Sequence, residues 1–349
     1  MGKRASKPGT SQGSLLAIEH LEVVFEGREC VVGVRDTSLT VENGTIVGLV
    51  GESGSGKSLT CRAVNRLIPR PGRIASGQVR FGGRDVLAMS RRELRTLRAR
   101  EVGMIFQDPF SALNPTMRVG AQLAQTLRVN LGLSRDAART RAIELLEQVD
   151  IPEPSQRFAA YPHELSGGMR QRVMIALAVA PSPQLLIADE PTTALDVTTQ
   201  AGILKLILRL RDETGMAVLF VSHDMGVISQ VCDVVHVMYG GYVVESGPKA
   251  TVLGAPQHPY TRALIQSIPS IDSAGTDRRR TGIPGRPPER GEEVTGCPFR
   301  PRCEFATHAC ASVAMTLESV SRDHLTACPI MRFKPTVVAA QSRGGAHVG

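Results

Sequence analysis

The stretch "GESGSGKS", Gly51 to Ser58, fits the spacing G-x-x-x-x-G-K-S/T. Gly51, Ser53, Gly54, Ser55 and Gly56 are small enough for backbone N–H groups to turn inward around phosphate oxygens. The loop follows the apolar run "TIVGLV" and opens a helical stretch, whose positive N-terminal end adds to the same anion site. Lys57 would reach the β- and γ-phosphates of a nucleotide, and the Ser58 hydroxyl would bind Mg²⁺. A chance Gly-rich turn would lack this strand–loop–helix setting.

A second apolar run, "LLIADE", ends in two acids. Asp189 at a strand end can hold the Mg²⁺ shell, and Glu190 can orient or deprotonate the attacking water. In "ELSGGMRQRVMIALAVA", Ser166, Gly167 and Gly168 precede a long amphipathic helix. Taken alone they read as a Ser N-cap with a Gly-rich turn. Beside the first loop they are a second anion site on a chain with one nucleotide. That arrangement implies a facing copy or relative, each supplying half of each site.

These residues need a scaffold. The 349 residues are 42% hydrophobic, enough for one large core and a smaller appendage. "LLAIEHLEVVF", "TSLTVENGTIVGLVG" and "SGQVRFGGRDV" alternate with period two, with a turn at Asn43-Gly44. From about Val119 to Tyr161 the spacing is helical, broken at Gly132 and Pro152. Apolar strands then alternate with helices, which predicts a mostly parallel sheet with a helical insert. Residues 1–14 read as a basic tail; Gly2 and Ser6 fit a loose acylation pattern that is common by chance. Pro269 to Glu293 read as a connector.

The net charge is +8, with arginine patches at Arg91–Arg100 and Asp277–Gly282. A basic face can meet nucleic acid or an anionic membrane. Aromatics are only 4% and Trp is absent, so stacking platforms for single strands are scarce. No apolar run reaches the roughly 18–20 residues a spanning helix needs.

"GESGSGKS", "FQDP", "LSGGMRQR", "LLIADE", "TALD" and "VSHD" stand in the order found in ABC-type ATPases, which this chain resembles over about residues 15–268. The resemblance implies an α/β P-loop NTPase fold: a RecA-like core, an antiparallel β subdomain and a helical subdomain at about 115–180. It also implies head-to-tail dimers that sandwich ATP between one chain's phosphate loop and the other's "LSGG". On it, Gln107 links the Mg²⁺ site to the helical subdomain, and His223 contacts the γ-phosphate. Asp196 lies in a loop crossing the dimer interface, and Phe25 stacks on adenine; otherwise Phe25 is a core residue of a strand.

"VGMIFQDPFSALNPTMRVG", "YPHELSGGMRQRVMIA" and "HPYTRALIQSIP" resemble more closely the ATPase subunits of dipeptide/oligopeptide importers, a group that includes nickel importers. That implies a peripheral subunit on the cytoplasmic face of the membrane. Its expected partners are two permease subunits, an extracytoplasmic solute-binding protein and a related ATPase in a heterodimer; no nucleic acid is expected. The alternative is a non-transport ABC ATPase acting on nucleic acid or the ribosome. A third reading is an iron-sensing regulator.

The extension, residues 269–349, clusters Cys297, Cys303, Cys310 and Cys328 with gaps of five, six and seventeen residues. A reducing cytoplasm disfavours disulfides. No C-x₂₋₄-C knuckle is present, so spacing leaves zinc, with His308 as an added ligand, and an iron–sulfur cluster both open. The family resemblance implies a 4Fe-4S cluster. The segment's distance in sequence from Lys57 and Glu190 suggests a structural or docking role. Cys30, Cys61 and Cys232 read as small core residues.

Overall fold

A computed structural model of the chain describes residues 13–27, 30–108, 112–193, 195–268, 282–289, 292 and 294–329. Gly2, Ser6 and the basic run Asp277–Thr281 lie outside these residues.

Strands β1 (Leu16–Phe25) and β2 (Val31–Val41) pair antiparallel. The turn at Gly44, with φ of 68°, then hands the chain to a different sheet. Strand β3 (Ile46–Val50) is buried at all five residues because it runs in the middle of that second sheet. Apolar residues on both faces suit a central parallel strand covered on two sides. Helix α1 (Lys57–Val64) follows, and β4 (Gly72–Phe81) returns to β1. With β5 (Arg84–Asp85) the first sheet has the order β2-β1-β4-β5, all antiparallel.

Helix α2 (Arg91–Thr96) begins with a capping box in which Ser90 and Glu93 exchange hydrogen bonds. Its arginine patch is partly structural. Arg98 donates to the Asn65 carbonyl at 2.8 Å and Arg100 to the Asn130 carbonyl at 2.7 Å. Strand β6 (Val102–Ile105) then leads into the helices α3 (Val119–Leu131), α4 (Arg135–Gln148), α5 (Pro154–Arg157) and α6 (Gly167–Val179). Gly132 ends α3 in the left-handed conformation, and Ser134 caps α4.

The βα rhythm resumes with β7 (Leu185–Asp189), α7 (Val197–Thr214), β8 (Ala217–Ser222), α8 (Met225–Val231) and β9 (Val234–Tyr239). Strand β10 (Tyr242–Pro248) turns back antiparallel to β9, and α9 (Lys249–Gly254) and α10 (Pro259–Gln266) follow. Strands β11 (Glu318–Ser321) and β12 (His324–Thr326) complete the larger sheet, β11-β12-β10-β9-β3-β8-β7-β6. Among the described residues no helix is long and apolar enough to cross a membrane.

One expectation changes. Cys61 and Cys232 are buried, but Cys30 is exposed, because it sits in the link between β1 and β2. The cysteine segment packs on the main core. Cys297, Phe299, Cys310, Met315 and Ala327 join the same apolar core as Tyr239, Val244 and Leu264.

Candidate functional site

Strand β3 delivers the phosphate loop at its C-terminal end. A Cβ on Gly51 would lie 2.0 Å from the Met238 carbonyl oxygen, and one on Gly56 would lie 2.8 Å from that of Gly33. Only glycine lets the loop pass this close to its neighbours. Lys57 curls back over the loop, and its Nζ donates to the carbonyls of Gly51 at 2.7 Å and Glu52 at 2.9 Å. Burial pulls the Lys57 pKa down, while the nearby carboxylates of Glu190 and Asp189 oppose that shift.

Ser58 Oγ donates to Asp189 Oδ1 at 2.8 Å. Asp189 is only 1% exposed at the end of β7. Burial raises its pKa, and the Ser58 hydrogen bond works against the rise. A hydroxyl beside a buried carboxylate is a hard-oxygen pair, the donor chemistry Mg²⁺ prefers.

Glu190 follows at once, in the left-handed backbone region with φ of 50°. Non-glycine residues held there carry strain, a recurrent feature of functional positions. Its Oε2 accepts from Gln107 Nε2 at 3.0 Å and Thr193 Oγ1 at 2.9 Å, and His223 Nδ1 lies 3.3 Å away. The loops after β6, β7 and β8 thus meet at one carboxylate oxygen. Phe25, at the end of β1, lines the same cleft as Val31, Lys57, Ser58, Gln107 and Glu190. It is also partly buried against the apolar cluster that includes Val23, Val34 and Phe81.

Ser166 caps α6, its Oγ accepting from the Met169 N–H at 3.2 Å. Asp196 caps α7, accepting from the Thr199 N–H at 2.9 Å, a bond that lowers its pKa. Thr199 joins the two elements, because a Cβ on Gly168 would lie 2.6 Å from its Cγ2. Ser166, Gly167, Gly168 and Asp196 do not line the cleft that holds Lys57.

Residues 34–193 match the family described as ABC transporter, and residues 244–310 match the oligopeptide/dipeptide transporter C-terminal region. The oligopeptide transport ATP-binding protein OppD of Salmonella typhimurium is 46% identical over 322 residues, covering 92% of this chain and 94% of that one. The chain belongs to the ABC transporter ATP-binding proteins. The dipeptide transport ATP-binding protein DppD of Escherichia coli is 42% identical over 316 residues, covering 90% of this chain and 96% of the relative. Among solved structures, the dimeric ATP-binding cassette MJ0796 bound to ADP and Pi matches with a TM-score of 0.61 at 27% identity. It covers 67% of this chain and 98% of that chain.

This ABC ATPase carries a second cavity. Cys297, Cys303, Cys310 and Cys328 all line it, with His258, Phe299 and Phe305. Among the described residues no three His, Cys, Asp or Glu side chains stand close enough to hold a metal ion. His308 is exposed and is absent from the lining; His258 takes the place expected of it. The His258 Nδ1 accepts from the Tyr260 N–H at 3.1 Å, so its proton sits on Nε2, 4.0 Å from Cys297 Sγ. Burial pushes the Cys297 thiol up to about 11, and also raises Cys303.

Sequence reasoning missed several parts of this ABC site. The cleft beside Lys57 is also lined by Pro288, Glu289 and Glu292 from the connector and by Val294 just after it. Glu52 of the phosphate loop binds Arg302 of the cysteine segment. Nothing in the spacing of these residues marks them; only folding brings the extension onto the loop.

Proposed function

We propose that the chain hydrolyses ATP to power import of peptides or similar small solutes through a membrane ABC importer. The Glu190 hub, set beside Lys57 and the Ser58–Asp189 pair, is the observation that supports it most directly. The named relatives support the peptide reading over an ATPase acting on nucleic acid or the ribosome. In this reading the subunit sits on the cytoplasmic face of the membrane, with two permeases, an external solute-binding protein and a related ATPase as heterodimer partner.

The chemistry follows from the site. The phosphates of ATP enter the loop Gly51–Ser58, where backbone N–H groups and the start of α1 receive them. Lys57 exchanges its carbonyl partners for β- and γ-phosphate oxygens. Ser58 and Asp189, with Gln107 nearby, are the residues that would hold Mg²⁺, which neutralises charge on the phosphates. Glu190 orients a water and takes its proton as the water oxygen bonds to the γ-phosphorus. The bond to the ADP oxygen breaks, giving ADP and phosphate, and the proton passes to solvent. His223 steadies charge on the transferred group. Ser166, Gly167, Gly168 and Asp196 serve the site that the partner ATPase completes, and Phe25 stacks on the adenine.

The four cysteines are proposed to hold a 4Fe-4S cluster. What supports this is that all four cysteines line one cavity, as ligation of a cluster by four thiolates requires. The cluster would staple the segment. We also propose residues 1–14 as a tail, 15–268 as the nucleotide-binding unit and 269–349 as the extension.

Isolating the membrane complex through this chain and measuring ATP-driven peptide uptake in vesicles tests the function. Permeases and a binding protein should co-purify. Recovery with nucleic acid or ribosomes instead, with no permease present, overturns the import reading.

A further inference from the structure

Arg302 stands one residue before Cys303, yet its guanidinium lies on the phosphate loop. Nη1 donates to Glu52 Oε2 at 2.6 Å and to the Tyr239 hydroxyl at 3.1 Å. Nη2 donates to Glu52 Oε1 at 3.0 Å and to the Ile283 carbonyl at 2.9 Å. Nε donates to the Pro284 carbonyl at 2.8 Å. All the N–H groups of the fork are therefore used, two of them on one carboxylate. The side chain is 3% exposed, against 27% for Glu52.

Glu52 is the second residue of the loop. Its backbone carbonyl accepts from Lys57 Nζ, and its backbone N–H donates to the Tyr260 hydroxyl at 2.8 Å. A carboxylate at this place, if unpaired, would repel incoming phosphate. The bidentate arginine both neutralises it and holds it in one orientation, and Glu52 in turn presents the carbonyl on which Lys57 rests. Tyr239 and Tyr260 pack with ring centroids 4.5 Å apart, and their hydroxyls accept from Arg302 and from the Glu52 N–H.

We propose that Arg302 is a positioning residue for ATP binding: it pairs Glu52 and so keeps the phosphate loop and Lys57 ready for the nucleotide. The cysteine segment is thereby also part of the ATP site. This rests on the reading of Gly51–Ser58 as the nucleotide loop.

The test measures ATP affinity and steady-state hydrolysis in the full-length chain, within its ATPase pair, for R302A, R302Q, E52Q and the double variant R302Q/E52Q. R302A and R302Q should weaken ATP binding tenfold or more and raise KM, with kcat changed far less. The double variant, a neutral pair of similar size, should recover most of the lost affinity, because the unpaired carboxylate is gone. A merely structural role for Arg302 predicts no such recovery. Wild-type affinity in folded R302Q, or no recovery in R302Q/E52Q, overturns the proposal, and R302Q decides the matter if R302A fails to fold. If Lys57→Ala binds ATP as tightly as the wild type, the nucleotide-loop reading itself fails; loss in Lys57→Ala with wild-type binding in R302Q refutes only the Arg302 proposal.

Discussion

His324 Nε2 lies 2.8 Å from Glu245 Oε1, with the two side chains only 2% and 0% exposed. Glu245 also accepts from the backbone N–H groups of Gln257 and His258, at 2.7 and 2.8 Å. One buried carboxylate on β10 therefore ties β12 and the start of α10 to the core sheet. Replacing His324 by Leu removes one partner and leaves Glu245 to its two backbone donors. Breaking such a buried pair costs about 3 kcal/mol. Limited proteolysis should then release the C-terminal segment first, before the core unfolds. Unchanged protease resistance and unchanged thermal stability would contradict the tie.

Glu190→Gln should keep ATP binding and lose turnover, by about 10²–10⁴-fold, the range a general base contributes. The amide still fits among Gln107, Thr193 and His223 but cannot accept the proton. Lys57→Ala should instead weaken binding. Near-normal phosphate release by Glu190→Gln would sink the assignment.

Ser166→Arg should damage the ATP site whose phosphate loop belongs to the partner ATPase. Within one chain Ser166 does not line the cleft of Lys57, and the proposed head-to-tail pair would place its effect across an interface. Mixed dimers, each carrying one Lys57-type and one Ser166-type defect, locate it. A defect placed in the site with this chain's own Lys57 would contradict the head-to-tail arrangement.

Anaerobically purified protein should be brown and carry roughly four iron atoms per chain, and Ser at any one of the four cysteines should lose them. Zinc without iron would replace the cluster by a zinc site. In metal-free protein the Cys297 thiol, raised from 9.0 to about 11, binds its proton more tightly folded than unfolded. Its contribution to stability is thus complete below about pH 9 and fades as pH climbs through 11, a tenfold gain in proton affinity being worth about 1.4 kcal/mol. Alkylation of Cys297 should accelerate over that window. Fast alkylation at neutral pH in a folded chain would show the thiol is not buried as described.

The local chemistry of this protein was legible in its sequence. "GESGSGKS" after an apolar strand, "LLIADE" and "LSGG" are read from neighbours in the chain, because a loop between one strand and one helix is a local object. Period-two and helical spacing likewise separated the strands from the helical insert. Spacing could not show which remote elements meet. The four cysteines stood far from Lys57 in number, which suggested a structural or docking role, and the spacing admitted His308 as an added zinc ligand but gave no sign of His258. The tertiary structure pairs β12 with β10, sets Cys328 and Cys297 on one cavity, and lays Arg302 on Glu52. The physical reason is that contact across 250 residues of chain, the separation of Arg302 from Glu52, is set by shared sheet edges and a common apolar core. Neither leaves a period in the sequence.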